Sequence, residues 1–122
     1  MRVSKSQIVK GVTEYIQGEV LPKMDNDKAV QIILSIAINA ALANGKMVDA
    51  VFANEIVRSM LDDDGTGTYE INGVADAMTA AVQKYGSFPV KIPAIPLISP
   101  REITLTLNAT DVEAMRLRIE NA

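Results

Sequence analysis

The run Ala29–Leu42, AVQIILSIAINAAL, holds no charged residue, and its only polar side chains are Gln31, Ser35 and Asn39. Those three recur at every fourth position, so on a helix they form one narrow stripe among apolar and small neighbours. A helix that is apolar almost all round has to be enclosed on most sides. The run is therefore expected to be a central helix that other segments pack against, and a candidate subunit contact. The uncharged window extends from Ala29 to Gly45, 17 residues that include Gln31, Ser35, Asn39 and Asn44. That is short and polar for a bilayer span, so no membrane partner is expected.

The segments on either side carry amphipathic patterns able to cover such a helix. Ile8, Val9, Val12, Tyr15, Ile16 and Val20 lie on one face of a first helix expected from Ser4 or Ser6 to Val20, with Pro22 limiting its extension. Asn26 or Asp27 is a natural cap for the central helix, and Gly45 its left-handed terminator. From Met47 to Leu61 the apolar spacing is again helical, and Asn54–Glu55 leaves open whether this is one helix or two. Thr68–Ile71 has strand propensity and precedes Asn72, which is suited to cap a helix whose apolar face runs through Val74, Met78 and Ala81 to a stop at Gly86.

Beyond Gly86 the character changes. Ser87–Pro100, SFPVKIPAIPLISP, has prolines at 89, 93, 96 and 100, which exclude a helix or a central strand and indicate an extended arm, partly edge strand. Arg101–Leu107, REITLTL, alternates apolar and polar as a half-buried strand does. Asn108 then caps a last helix with Asp111 at its third position, and Leu107 with Val112 has the spacing of a hydrophobic staple. YEINGVADAM and LTLNATDVEAM share a strand, Asn and helix scheme, so their two strands could lie side by side. The fold class expected is α+β. It is mainly helical, with four to five helices around a central apolar helix and a small antiparallel sheet in the C-terminal half. A single domain over 1–122 divides into a helical part, 1–61, and a strand–helix–arm–strand–helix part, 62–122.

Composition narrows the chemistry. With 122 residues the chain can bury roughly two-thirds of its unfolded surface, so it needs no metal or disulfide staple. It contains no cysteine and no histidine, which removes thiolate chemistry, the commonest general base and the commonest transition-metal ligand together. The cysteine count is compatible with a reducing cytoplasm. Net charge is −3, which disfavours strong non-specific binding to nucleic acid or an anionic membrane. Residues 1–60 hold seven Lys/Arg and six Asp/Glu, against five and nine in residues 61–122. Gly65-Thr66-Gly67 lacks the Lys-Ser/Thr of a phosphate-binding loop. Nothing in the pattern sets two carboxylates across a cleft, and no enzymatic activity is expected.

One loop has the composition of a cation site. Aligned on Asp62, DDDGTGTYEING resembles the twelve-residue EF-hand loop, with Asp62, Asp64, Thr66 and Glu70 at ligand positions and Gly67 at the glycine turn. The twelfth position, where a bidentate acid should close the site, is Gly73, and the eighth is Tyr69 rather than an aliphatic residue. A solvated Asp/Gly turn explains the same residues. Calcium is the one cofactor the resemblance implies.

The leading expectation is a non-enzymatic protein–protein interaction module whose partner is itself, as a homodimer, or another protein. The candidate interface residues are Gln31, Ser35 and Asn39 on the helix and Ile92, Ile95, Leu97 and Ile98 on the arm. The helical stripe has a second reading, as the solvent-facing strip of an otherwise buried helix. The alternatives are a calcium-binding structural domain using Asp62–Glu70, and a small nucleic-acid-associated protein using Arg101, Arg116 and Arg118, or a mobile-element accessory protein, for which no residue argues.

Overall fold

The computed structural model describes residues 1–24, 28–52, 55–60, 67–94, 97 and 101–122. The chain starts as a strand, β1 (Arg2–Ser4), and turns directly into α1 (Lys5–Tyr15). Ser4 serves both elements: its backbone is extended, and its hydroxyl accepts from the Gln7 N–H at 3.0 Å. That bond satisfies one of the open donors of the first helical turn. The helix does not stop at Tyr15. It widens into one π-helical turn, Ile16–Val20, and tightens into a 3-10 turn, Leu21–Lys23, where Pro22 ends it.

Next come α2 (Lys28–Ala43), α3 (Lys46–Phe52) and α4 (Glu55–Met60). Gly45 takes φ +72° between α2 and α3, as its role of terminator requires, and the two helices meet at 106°. Of the stretch from Met47 to Leu61, the helical segments α3 and α4 are described; Asn54 and Leu61, on which the choice between one helix and two turns, lie outside the described residues. The proposed caps Asn26, Asp27 and Asn54 lie outside the described residues.

β2 (Thr68–Glu70) runs straight into α5 (Ile71–Tyr85), which ends at Gly86 with φ +81° and its N–H on the Val82 carbonyl at 2.8 Å. The helix begins two residues earlier than a cap at Asn72 implies. Glu70 is the capping residue and Asn72 sits inside the first turn, where it accepts from Arg116 at 2.6 Å. β3 (Phe88–Ile92) and β4 (Ile103–Leu107) then precede α6 (Ala109–Glu120).

Among the described residues there are two antiparallel two-stranded sheets, where the sequence suggests one in the C-terminal half. The C-terminal sheet pairs Phe88 with Leu107, Val90 with Leu105 and Ile92 with Ile103. Phe88, Val90, Ile92, Leu105 and Leu107 are all buried on its inner face. Pro89 is tolerated because each strand of a two-stranded sheet is an edge strand. The other sheet joins the N-terminus to the middle of the chain, with Val3 opposite Tyr69. Arg2 reinforces it by donating to the Thr68 hydroxyl at 2.9 Å and the Thr68 carbonyl at 2.8 Å. The strands β2 and β4, which the shared sequence scheme would place together, therefore belong to different sheets.

The fold is α+β and mainly helical, as expected. On α1, Ile8, Val9, Gly11, Val12, Thr13 and Tyr15 are all buried. This helix packs on α6 and α3, and α5 packs on α4 and α6. The approach of α6 to α1 is close because Gly11 has no side chain, and a Cβ there would fall 2.6 Å from the Cα of Ile119. Buried Thr13 returns its hydroxyl to the Val9 carbonyl at 2.7 Å. The capping box on α6 is complete: the Asn108 side chain accepts from Asp111 N–H at 2.9 Å, and Asp111 accepts from Asn108 N–H at 2.8 Å. Val112, Met115 and Ile119 of α6 are buried, as the sequence spacing implies.

Candidate interaction surface

The helix α2 is enclosed on one side only. Leu34, Ala37, Ile38 and Ala41 are buried against α3 and the neighbouring turn and strand. Val30, Ile32, Ile33, Ile36 and Leu42 stay 40–59% exposed. At 100° per residue, the buried set and the set Ala29, Ile32, Ile33, Ile36, Ala40 and Ala43 fall on opposite sides of the helix. Both sides are apolar. Expectation and structure differ here because the helices that could have covered the second side are engaged elsewhere, α1 with α6 and α5 with α4 and α6.

The stripe Gln31/Ser35/Asn39 lies along the border between these two sides, facing the end of the first helix. Gln31 donates to the Met24 carbonyl at 3.0 Å, and Asn39 accepts from Gln17 at 2.7 Å. Ser35 is half-buried and, with Gln31, Gln17 and Leu21, borders a recess of about 320 Å³. The stripe is thus a hydrogen-bonded seam within the chain, fastening α2 to the π and 3-10 turns. The apolar ridge next to it, with Ile32, Ile33 and Ile36, is the part left open, and the sequence reading does not single it out. Its signal was present in the same run: a helix apolar on two opposite faces needs two covers.

A second apolar feature adjoins the C-terminal end of α2. A cavity of about 500 Å³ is lined by Val9, Leu42, Met47 and Val48, with Lys5 and Lys10 at its side. Lys5 places its ammonium 5.1 Å from the Phe52 ring centroid, and Lys10 is 4.0 Å from Glu14. Leu42 borders both this cavity and the flank of α2.

The other candidate residues are more dispersed. Ile92 is fully buried in the chain's own core, whereas Leu97 is fully exposed with φ +71°. Ile95 and Ile98 lie outside the described residues, as do Asp62, Asp64 and Thr66. Glu70, the remaining position of the calcium pattern, sits on β2 and accepts from the Met1 ammonium at 2.9 Å. Among the described residues no group of three Asp or Glu is placed to hold a metal ion. Arg116 bonds Asn72 at 2.6 Å and Glu120 at 3.4 Å, and Arg118 contacts Glu19 at 3.3 Å. Those two arginines are thus drawn into contacts between helices.

Among the described residues the ionisable group with a clear shift is Tyr15. Its hydroxyl donates to the Asp111 carboxylate, which ties α1 to the start of α6. Burial, then the bond to Asp111 and the charges of Asp111 and Glu19, push its pKa up to about 12, against a smaller opposing effect of Arg118. A phenol held protonated in this way is a structural tie rather than an acid or base at neutral pH.

Among the described residues no single helix is long and apolar enough to cross a membrane; α2 and α3 reach that length and composition only as a bent pair. The geometry thus defines an α+β, mainly helical protein with one helix whose outer face is apolar and uncovered. Compared with known protein families, curated proteins and solved structures, the chain gives no match.

Proposed function

We propose that this chain is a non-enzymatic interaction module that binds a second copy of itself through the outer face of α2. The observation that supports the reading is the exposure of Ile32, Ile33 and Ile36 together on one helix face. Soluble monomers rarely leave contiguous apolar surface of this kind open, and such patches mark sites of association. A second copy is the partner that the composition favours. A two-fold interface sets one surface against itself, so a charge near its axis meets its own copy, and Ala29–Gly45 carries none.

Light scattering across a dilution series tests this directly. The intact chain is expected to shift from dimer to monomer as concentration falls. Covering one half-exposed isoleucine recovers roughly 1 kcal/mol. At a symmetric interface each substitution acts twice, so Ile36→Ala weakens the dimer by roughly 2 kcal/mol, more than tenfold in dissociation constant. Ile36→Lys, which adds two like charges, is expected to be monomeric with an unchanged helical circular dichroism spectrum. A chain that stays strictly monomeric at high micromolar concentration refutes the proposal.

A further inference from the structure

The cavity of about 500 Å³ lies between the first turns of α1 and the bend that joins α2 to α3. Its origin is local. Gly45 ends α2 in a left-handed conformation, α3 leaves at 106°, and nothing comes within 4 Å of the point where a side chain at 45 would start. The space beside the bend therefore stays open. Its interior is apolar: Val9 and Met47 reach it from the core, 5% and 0% exposed, while half-exposed Leu42 and half-buried Val48 stand at its mouth. On α1, Val9 lies one turn beyond Lys5 and directly before Lys10, so two lysines border the apolar opening from the same helix.

The rim is thus cationic. Lys5 rests on an aromatic ring, its ammonium 5.1 Å from the Phe52 centroid, and among the described residues it has no carboxylate partner. Lys10 has Glu14 at 4.0 Å, with both side chains well exposed. A loose surface pair of this kind contributes little and leaves the ammonium able to meet a further anion. An apolar interior with two ammonium groups at its mouth complements an alkyl chain that ends in an anionic head. We propose that this cavity binds a single-chain fatty carboxylate, its tail against Val9, Leu42, Met47 and Val48 and its head group between Lys5 and Lys10. The volume falls in the lower half of the range of small-molecule sites, about 300–1,000 Å³, which suits one chain of roughly ten carbons and not the two chains of a membrane lipid. Ile32, Ile33 and Ile36 take no part in the site, so monomer and dimer alike should bind.

Titration calorimetry with decanoate, ionised at neutral pH and kept below its micelle-forming concentration, tests the site. One decanoate per chain is expected to bind. Each buried methylene is worth about fourfold in affinity, so octanoate should bind roughly fifteenfold more weakly. Decyltrimethylammonium has the same tail and the opposite charge, and it should bind weaker than decanoate by about tenfold or more. Lys5→Gln/Lys10→Gln, at two exposed positions, should weaken decanoate by about tenfold and leave decanol unchanged. Val48→Trp, which fills the cavity from its mouth, should abolish decanoate binding with the helical circular dichroism spectrum kept, and Ile32→Ser/Ile36→Ser should retain it. If Val48→Trp loses that spectrum, the head-group comparison and the lysine variant decide. Equal affinity for decanoate and decyltrimethylammonium overturns the proposal, as does an unchanged decanoate affinity in the lysine variant. Binding that survives Val48→Trp but is lost in Ile32→Ser/Ile36→Ser also overturns it and puts the amphiphile on the outer face of α2. So does the absence of heat at two well-separated temperatures, between which apolar burial changes the binding enthalpy.

Discussion

Replacing Gly11 by alanine would place a methyl carbon 2.6 Å from both Cα and Cγ1 of Ile119 and 2.7 Å from its backbone nitrogen. Carbon atoms make their best contact at about 3.5–4.0 Å, so α6 would have to retreat from α1 by roughly 1 Å. The obstacle is backbone, which a side-chain rotation cannot remove. A gap of about that size forfeits a quarter to a half of each contact it opens, and Val12, Met115 and Ile119 line this seam among the most buried residues of the chain. Overpacking of this kind costs about 1–3 kcal/mol, and a backbone clash belongs at the upper end of that range. Against it stands the helix propensity of alanine, worth about 1 kcal/mol over glycine. The net expectation is destabilisation by about 2 kcal/mol, read as a urea midpoint lower by on the order of 1 M for a small protein. Gly73, in the first turn of α5, has nothing within 4 Å of its virtual Cβ and supplies the control. Gly73→Ala carries the propensity gain without the clash and should raise stability by up to about 1 kcal/mol. If Gly11→Ala matched or exceeded the parent midpoint at equal protein concentration, α1 and α6 would not cross at Gly11, and the account of the core would be wrong.

Three further outcomes are open to measurement. The folded pKa of Tyr15 lies above its unfolded value of 10.0, so the folded state holds the proton longer. Its contribution to stability is then complete below about pH 10 and lost as pH rises from 10 to about 12. The ultraviolet tyrosinate difference between the parent and Tyr15→Phe should place the missing transition near pH 12; a transition at 10 would contradict the buried tie to Asp111. At the start of α6, Asn108→Ala removes the side-chain half of the capping box and should cost about 1 kcal/mol in urea unfolding. Asp111→Ala removes the other half together with the partner of Tyr15, so it should cost more than Asn108→Ala; equal losses would mean that the Tyr15 bond adds nothing. Leu97→Gly relieves a left-handed backbone at a fully exposed side chain. The strain released, about 1–2 kcal/mol, exceeds the added unfolded-state entropy of glycine, so the midpoint should rise slightly.

The features already legible in the amino-acid sequence are those that each segment settles for itself. Asn108 and Asp111 sit three residues apart, Leu105 and Leu107 alternate with Thr104 and Thr106, and Gly45 and Gly86 follow helical spacing. Hydrogen bonding and backbone sterics act over a few residues, so these patterns keep their meaning wherever the segment comes to lie. The apolar character of α2 was equally plain. Three things were decided only when distant segments met. Arg2–Ser4 became a strand because Thr68–Glu70 lies beside it, and three residues carry too little pattern of their own to announce that. Gly11 gained its role from Ile119, more than a hundred residues away. Which side of α2 was covered depended on where the other helices were already committed: hydropathy marks a side chain that gains by leaving water, but coverage is a property of the neighbours. That left Leu34 and Ile38 inside and Ile32, Ile33 and Ile36 outside on one helix, and it gave Gln31 and Asn39 hydrogen-bond partners within the chain.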